Sequence, residues 1–170
     1  MTDLIVETIV MMMQEPKLVV AYQSVIAPQA FITIAVDTSY VASQQGQNIG
    51  TGVYMMDNQI SNGSSNEGQM ELSTVVPVGS LIGFNTVPIA SDNGDQVIIT
   101  GFTVSQGSVF GGAGYPQQQP PIGQQPPGSY WIGQAMNSGR QVYQIQIKVT
   151  VGVLRPVSYY VNWDPFITAQ

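Results

Sequence analysis

The sequence predicts an all-β protein, folded as an antiparallel, jelly-roll-like β-sandwich of about nine strands. Two observations point to this fold class. Short apolar and β-branched runs recur along the 170-residue chain with Gly, Pro, Asn and Asp between them, and stretches with helical periodicity are scarce. With 44% hydrophobic residues the chain can bury a sizeable core, and its length fits a single domain over residues 1–170.

Nine segments have the composition or the alternation of strands. Alternation is clearest in residues 143–151, where Tyr143, Ile145, Ile147, Val149 and Val151 share one face and polar side chains occupy the other. This segment is therefore expected to be a half-buried strand. The nine predicted strands are 17–26, 31–37, 52–57, 70–76, 80–87, 96–104, 130–136, 142–151 and 157–163.

Two segments depart from the strand pattern. Residues 111–128 hold five of the 11 prolines with many Gly and Gln residues, which predicts a long surface loop within the domain. Residues 1–16 begin with a β-branched run, which favours an edge strand or an N-terminal arm. A short amphipathic helix is the alternative for this second segment.

The composition excludes several classes of function. The chain has no His and no Cys, so imidazole and thiol catalysis and most zinc, copper or haem sites are excluded, and no cofactor or metal is expected. A net charge of −6 from 4 basic and 10 acidic residues argues against nucleic acid and anionic membranes as partners. The protein is not expected to be an enzyme.

The first residues do not resemble a targeting signal. Residues 1–13 contain Asp3 and Glu7 and no cation, whereas a secretory signal begins with positive charge. The apolar run is also too short to span a bilayer. A cytoplasmic location is therefore expected, and a non-Sec export route is left open.

Acidic pairs and aromatic residues support an alternative function. Glu67 and Glu71, like Asp92 and Asp95, are spaced closely enough for a calcium site, although turns and solvated faces explain both pairs better. Aromatic residues concentrate after residue 130, and exposed ones could stack on sugar rings. A carbohydrate-binding, lectin-like β-sandwich is therefore the alternative, with its glycan unknown.

Methionine-rich segments suggest a surface for self-association. Thioether side chains adapt to irregular contacts, and two adjacent methionines in a strand must point to opposite faces. If residues 1–13 form an arm, they could add to the sheet edge of a neighbouring copy. The predicted assembly interface comprises Ile5, Ile9, Met11, Met12, Met13, Met55 and Met56.

Several segments resemble one family in the same order. These are FITIAVDT at 31–38, GVYMM at 52–56, ELSTVVPVG at 71–79 and YYVNWDPFIT at 159–168. Together they resemble the PixA/AidA-type bacterial inclusion body proteins, over roughly residues 30–168. The first thirty residues and the QQQPPIGQQPPG loop do not match the family pattern.

The resemblance implies a non-enzymatic, β-sandwich-like bacterial protein that accumulates in cytoplasmic inclusions. It supplies no catalytic residues, and its most specific motif falls on Trp163, Asp164 and Pro165. Trp163 is expected to close the core at the end of the last strand, and Asp164–Pro165 to direct the chain out of it. Few charges and 20 glutamines also favour ordered self-assembly as a homo-oligomer or larger assembly.

Overall fold

The structure is a computed structural model that describes residues 27–90 and 93–170. The predicted strand at 17–26, the predicted arm at 1–16 and Asp92 lie outside these residues. Strands dominate the described part, which confirms the all-β fold class. Its elements are β1 (Ala30–Val36), α1 (Thr38–Gln44), β2 (Val53–Asp57), a 3-10 helix (Ile60–Asn62), β3 (Ser73–Val76), β4 (Leu81–Pro88), β5 (Gln96–Gln106), β6 (Gln117–Gln118), β7 (Tyr130–Gln134), β8 (Gly139–Val151), β9 (Val157–Trp163) and β10 (Phe166–Ala169).

The strands form two sheets. The first has the order β2-β1-β4-β7-β6, and the second has the order β3-β10-β8-β5, with β9 also paired to β8. The pairs β1–β4 and β3–β10 are parallel, so the prediction of purely antiparallel sheets is wrong at these two places. In both pairs the intervening chain crosses to other elements before it returns, and such a crossover makes neighbouring strands parallel.

The two sheets face each other across one apolar core. Alternate residues of β1 and β8, among them Ile32, Ile34, Ile145 and Ile147, are wholly buried. The ring of Phe84 on β4 of the first sheet lies 4.9 Å from Phe102 and 5.9 Å from Tyr143, which belong to the second sheet. These contacts join the inner faces of the sheets, as in a β-sandwich.

β9 and β10 are one strand path interrupted by a proline. Trp163 pairs with Ile145 and Phe166 pairs with Val142, so the register along β8 is the same on both sides of the break. The Tyr143 N–H donates to the Pro165 carbonyl oxygen at 3.2 Å. Proline has no N–H to donate, but its carbonyl still accepts a bond from β8, so the chain stays in the sheet at Asp164–Pro165. The prediction that these two residues direct the chain out of the core is therefore wrong.

The Gly/Pro/Gln-rich segment 111–128 is largely a loop, as predicted. Within it, the two residues of β6 pair with β7. The segment begins tightly packed, because a Cβ placed on Gly114 would lie 2.2 Å from the Gln134 carbonyl oxygen and 2.4 Å from that of Phe110. The start of the loop is therefore fixed to the body of the sandwich, and only glycine fits at position 114.

Helix α1 was not predicted and positions one end of the site described below. The side chain of Asp37 accepts a hydrogen bond from the Tyr40 N–H at 2.9 Å and so caps the helix. Thr38, in the first turn, donates to the buried Asp95 carboxylate at 2.5 Å. Asp95 also accepts from the Gly152 N–H at 3.1 Å, so it joins α1 to the β8–β9 hairpin.

Candidate functional site

The outer edge of β9 carries backbone groups that point away from the sheet. Tyr143 on β8 and Pro165 form a hydrogen-bonded pair. Along an antiparallel ladder, such pairs alternate with pairs whose backbone groups point away from each other, so every second residue bonds to the neighbouring strand. Tyr159 and Val161 therefore bond to β8, whereas the N–H and C=O groups of Ser158, Tyr160 and Asn162 point outward. Among the described strands, β9 pairs only with β8.

Within residues 27–90 and 93–170 the edge has no second partner strand, because the chain before β3 leaves the second sheet. β3 runs beside β10, with Ser73 opposite Phe166. Its upstream continuation would run beside β9, but the segment 68–71 bonds to β2 of the first sheet instead. The Gly68 N–H donates to the Met55 carbonyl at 2.7 Å, and the Met55 N–H donates to the Gln69 carbonyl at 3.1 Å. A groove therefore separates β9 from this segment.

The groove comprises two adjoining cavities of about 360 and 480 Å³. Ile49, Met70 and Asn162 line both of them. The loop after α1 and the segment 68–71 form one wall, and β9 forms the other. The lining is mixed: Tyr159 and Val161 contribute apolar surface to the first cavity, and the carboxylates of Glu71 and Asp164 line the second. We refer to this groove and the outward groups of Ser158, Tyr160 and Asn162 as the β9 edge.

Large exposed apolar side chains lie on and beside the β9 edge. Tyr160 is 64% exposed and Val157 is 51% exposed, while Leu154 at the tip of the β8–β9 hairpin is 96% exposed. The strand from Val157 to Trp163 contains no charged residue and no proline. It therefore lacks the inward charges, prolines and lysines with which proteins protect an edge strand from pairing.

The outer face of the second sheet is polar and almost uncharged. The Thr100 hydroxyl donates to the Gln146 side chain at 3.0 Å, and the hydroxyls of Thr150 and Ser158 lie 3.1 Å apart. Across the strands of this face, polar side chains thus bond to one another. Lys148 is the charged residue in the middle of this array, and Arg140 and Asp164 lie toward one end.

The two methionines of β2 point in opposite directions. Met56 is 42% exposed, so one of the pair points outward as predicted, and it does not line the groove. Met55 is wholly buried, and its sulfur accepts a hydrogen bond from the Trp163 indole N–H at 3.1 Å. Met55 therefore cannot be a surface contact, and its place in the predicted interface is wrong. Ile5, Ile9, Met11, Met12 and Met13 lie outside the described residues.

The three residues of the family motif lie where β9 passes into β10. Trp163 is buried in the core, as predicted, but it ends β9 and not the last strand. Asp164 is exposed and accepts a hydrogen bond from the Gln144 side-chain amide at 3.1 Å. Trp163 and Asp164 also line the groove, so the motif borders the β9 edge. The uncharged run SYYVNW was the signal in the sequence for an open edge.

The described members of the acidic pairs, Glu67, Glu71 and Asp95, are not assembled into a metal site. The Asp57 N–H donates to the Glu67 carboxylate at 2.9 Å, and burial, with a smaller effect of the nearby Asp57 charge, raises the pKa of Glu67. The oxygens of Asp95 already accept bonds from Thr38 and Gly152. Within residues 27–90 and 93–170, no three acidic side chains lie close enough together to hold a metal ion.

No helix in the described part of the chain is long and apolar enough to cross a membrane.

Residues 28–153, which make up most of the chain, match the family described as Domain of unknown function (DUF8788). The chain belongs to the DUF8788 family. No curated protein sequence matches it.

Among solved structures, this DUF8788 protein is similar to an inclusion body protein, PixA, from Burkholderia cenocepacia J2315. The TM-score is 0.70 at 18% sequence identity, and the match covers 86% of this chain and 98% of the other. At this identity the likeness concerns the fold. It confirms the relationship to a PixA-type fold that the sequence motifs indicated.

Proposed function

We propose that this DUF8788 protein is a non-enzymatic structural protein that associates with itself into ordered assemblies, as an inclusion body protein would. The observation that carries the proposal is the nearly uncharged outer face of the second sheet, where Thr100 bonds to Gln146 and Thr150 bonds to Ser158. Such a face can lie against another copy without the desolvation of ionised groups.

Weak repulsion between copies supports the same proposal. A folded chain of 18.3 kDa exposes about 8,000 Å². Its 14 charged residues therefore leave several hundred Å² of uncharged surface for each charge. Low charge density favours association. The similarity to a PixA inclusion body protein is consistent with this role, and accumulation in the cytoplasm is part of the proposal.

A carbohydrate-binding function is less well supported. Tyr143 and Trp163, two of the aromatic residues that could stack on a sugar, lie in the core. Asp95, which would have been a calcium ligand, is occupied by bonds within the protein. Self-association therefore agrees better with the geometry.

The size of the full-length, untagged protein in solution tests the proposal. Light scattering over a concentration series, with negative-stain electron microscopy, should show regular particles or filaments whose mass rises with concentration. Because so few charges are involved, raising the salt concentration should not dissolve them. A monomer of 18.3 kDa at every concentration and salt level would contradict the proposal.

A pair of charge-matched variants locates the contact. The variant Gln146→Glu/Thr150→Glu places two carboxylates on the polar face, and Gln118→Glu/Gln124→Glu adds the same charge within the segment 111–128. The first should raise the concentration needed for assembly by about tenfold, since like charges in a contact oppose association. The second should change it by less than about twofold. Equal effects would show that the polar face is not the contact.

A further inference from the structure

We propose that the β9 edge is a dimerisation surface on which the β9 strands of two copies pair antiparallel about a two-fold axis centred at Tyr160. The inference rests on the proposed self-association and specifies its partner, a second copy of the chain. In this arrangement the two second sheets join into one continuous sheet across the dimer.

The hydrogen-bonding pattern of β9 fits a second copy of itself. The residues whose backbone groups point outward are Ser158, Tyr160 and Asn162, which are spaced by two along the strand. Antiparallel pairing centred at Tyr160 places each Ser158 opposite the other copy's Asn162 and each Tyr160 opposite its equivalent. Each residue whose backbone N–H and C=O point outward then lies opposite another such residue. The two residues of each pair exchange two hydrogen bonds, as hydrogen-bonded pairs of an antiparallel ladder do.

The charges at the two ends of the strand are complementary in the same register. Arg155 precedes β9 and Asp164 follows it, and both are exposed. Pairing centred at Tyr160 places Asp164 opposite position 156 of the other copy, beside the other copy's Arg155. Since the axis is two-fold, this contact between opposite charges occurs twice. A parallel arrangement would instead place like charges beside each other.

The pairing would cover a surface that the described residues of one copy leave uncovered. Tyr160 would lie beside its equivalent across the axis, where aromatic cross-strand pairs are favourable. Val157, which is 51% exposed, lies on the same strand. The groove between β9 and the segment 68–71 leaves space beside the edge, so the described part of the chain does not cover the outward backbone groups.

Single cysteines test the register directly, because the chain has no cysteine of its own. In the proposed dimer the two Cα atoms at position 160 lie about 5.5 Å apart, which is within the range for a disulfide. The two Cα atoms at position 158 lie four residues apart along the ladder, about 14 Å, which is too far. Under mild oxidation, Tyr160→Cys should therefore give at least about ten times more covalent dimer than Ser158→Cys.

A mixture of two variants provides the matched control. Ser158→Cys and Asn162→Cys, each unable to bridge to itself, should form a mixed disulfide when they are combined. If Tyr160→Cys gives no covalent dimer while the full chain still assembles, the inference is wrong and the proposed function stands. Equal yields from Tyr160→Cys and Ser158→Cys would indicate random collision and would also overturn it. If the full chain is monomeric, both proposals fail.

Charge reversal gives a test that does not depend on oxidation. Arg155→Asp places like charges at both ends of the interface and should weaken dimerisation about tenfold at low salt, measured by sedimentation equilibrium. Adding Asp164→Arg restores the opposite charges and should return the affinity to within about twofold of the wild type. A double variant as weak as Arg155→Asp alone would overturn the proposed register.

Discussion

Removing a single oxygen atom from the core, by Tyr143→Phe, is expected to stabilise the fold. The Tyr143 side chain is 1% exposed, and its hydroxyl has no hydrogen-bond partner among the described residues. The ring packs against two others: its centroid lies 5.7 Å from the ring centroid of Phe110 and 5.9 Å from that of Phe84. Phenylalanine keeps these ring contacts and removes the unpaired hydroxyl.

The size of the effect follows from two opposing contributions. A buried polar group without a partner costs about 1–3 kcal/mol. The space left by one oxygen atom costs a few tenths of a kcal/mol, at about 24 cal/mol per Å³. The net stabilisation is therefore about 1–2 kcal/mol, which corresponds to a rise in Tm of roughly 2–8 °C for a domain of this size.

Thermal and urea unfolding of the two proteins measure this difference. Tyr160→Phe is the control, since the Tyr160 side chain is 64% exposed and its hydroxyl is not buried. The control should change the free energy of unfolding by less than about 0.5 kcal/mol. A Tyr143→Phe variant that is less stable than the wild type by about 1 kcal/mol would refute the reasoning, because it would mean that the hydroxyl is satisfied.

Three further perturbations address other parts of the sandwich. Glu67→Gln should make the free energy of unfolding less dependent on pH. Burial raises the pKa of Glu67 above 4.5 in the folded state. The protonated side chain therefore contributes stability below pH 4.5, and this contribution is lost as the pH rises through the folded-state pKa. The wild type should therefore lose stability relative to the variant in urea titrations between pH 4 and 8, and parallel curves would contradict this. Asp37→Ala should cost about 1 kcal/mol in the same assay, since it removes the cap of α1, and no change would mean that the cap contributes nothing. Phe84→Ala should cost about 3–5 kcal/mol, because the buried ring joins the two sheets, and a loss under 1 kcal/mol would contradict that role.

The strands that alternate in sequence were predictable, because burial on one face imposes a period of two. β8 is the clearest case: Tyr143, Ile145, Ile147 and Val149 are buried as the pattern indicated. β10 was not predicted, because its four residues follow Pro165 and a proline suggests the end of a strand. The register nevertheless continues, since the carbonyl of Pro165 still accepts a bond from β8.

The parallel pairings and the β9 edge could not be predicted from local patterns. Both depend on where distant segments of the chain meet: among the described residues, the segment that could have continued beside β9 bonds to β2 instead. Helix α1 did leave a local signal, the N-cap residue Asp37, but its seven residues are too few to show a helical stripe. Met55 and Met56 could be assigned to opposite faces, but which of them is buried depends on the position of Trp163.

The pairing of β3 with β10 affects how the protein can be made. Among the described strands, β3 has no other partner within its sheet, and Val76 pairs with Ala169, about 90 residues later in the chain. At about 5–20 residues per second, a ribosome needs roughly 5–20 s to synthesise that interval. During this time β3 has been translated but its partner strand has not. The second sheet can therefore be completed only after nearly all of the described chain has emerged, and until then β3 has its local bonds to residues 64 and 65 but lacks its partner strand β10.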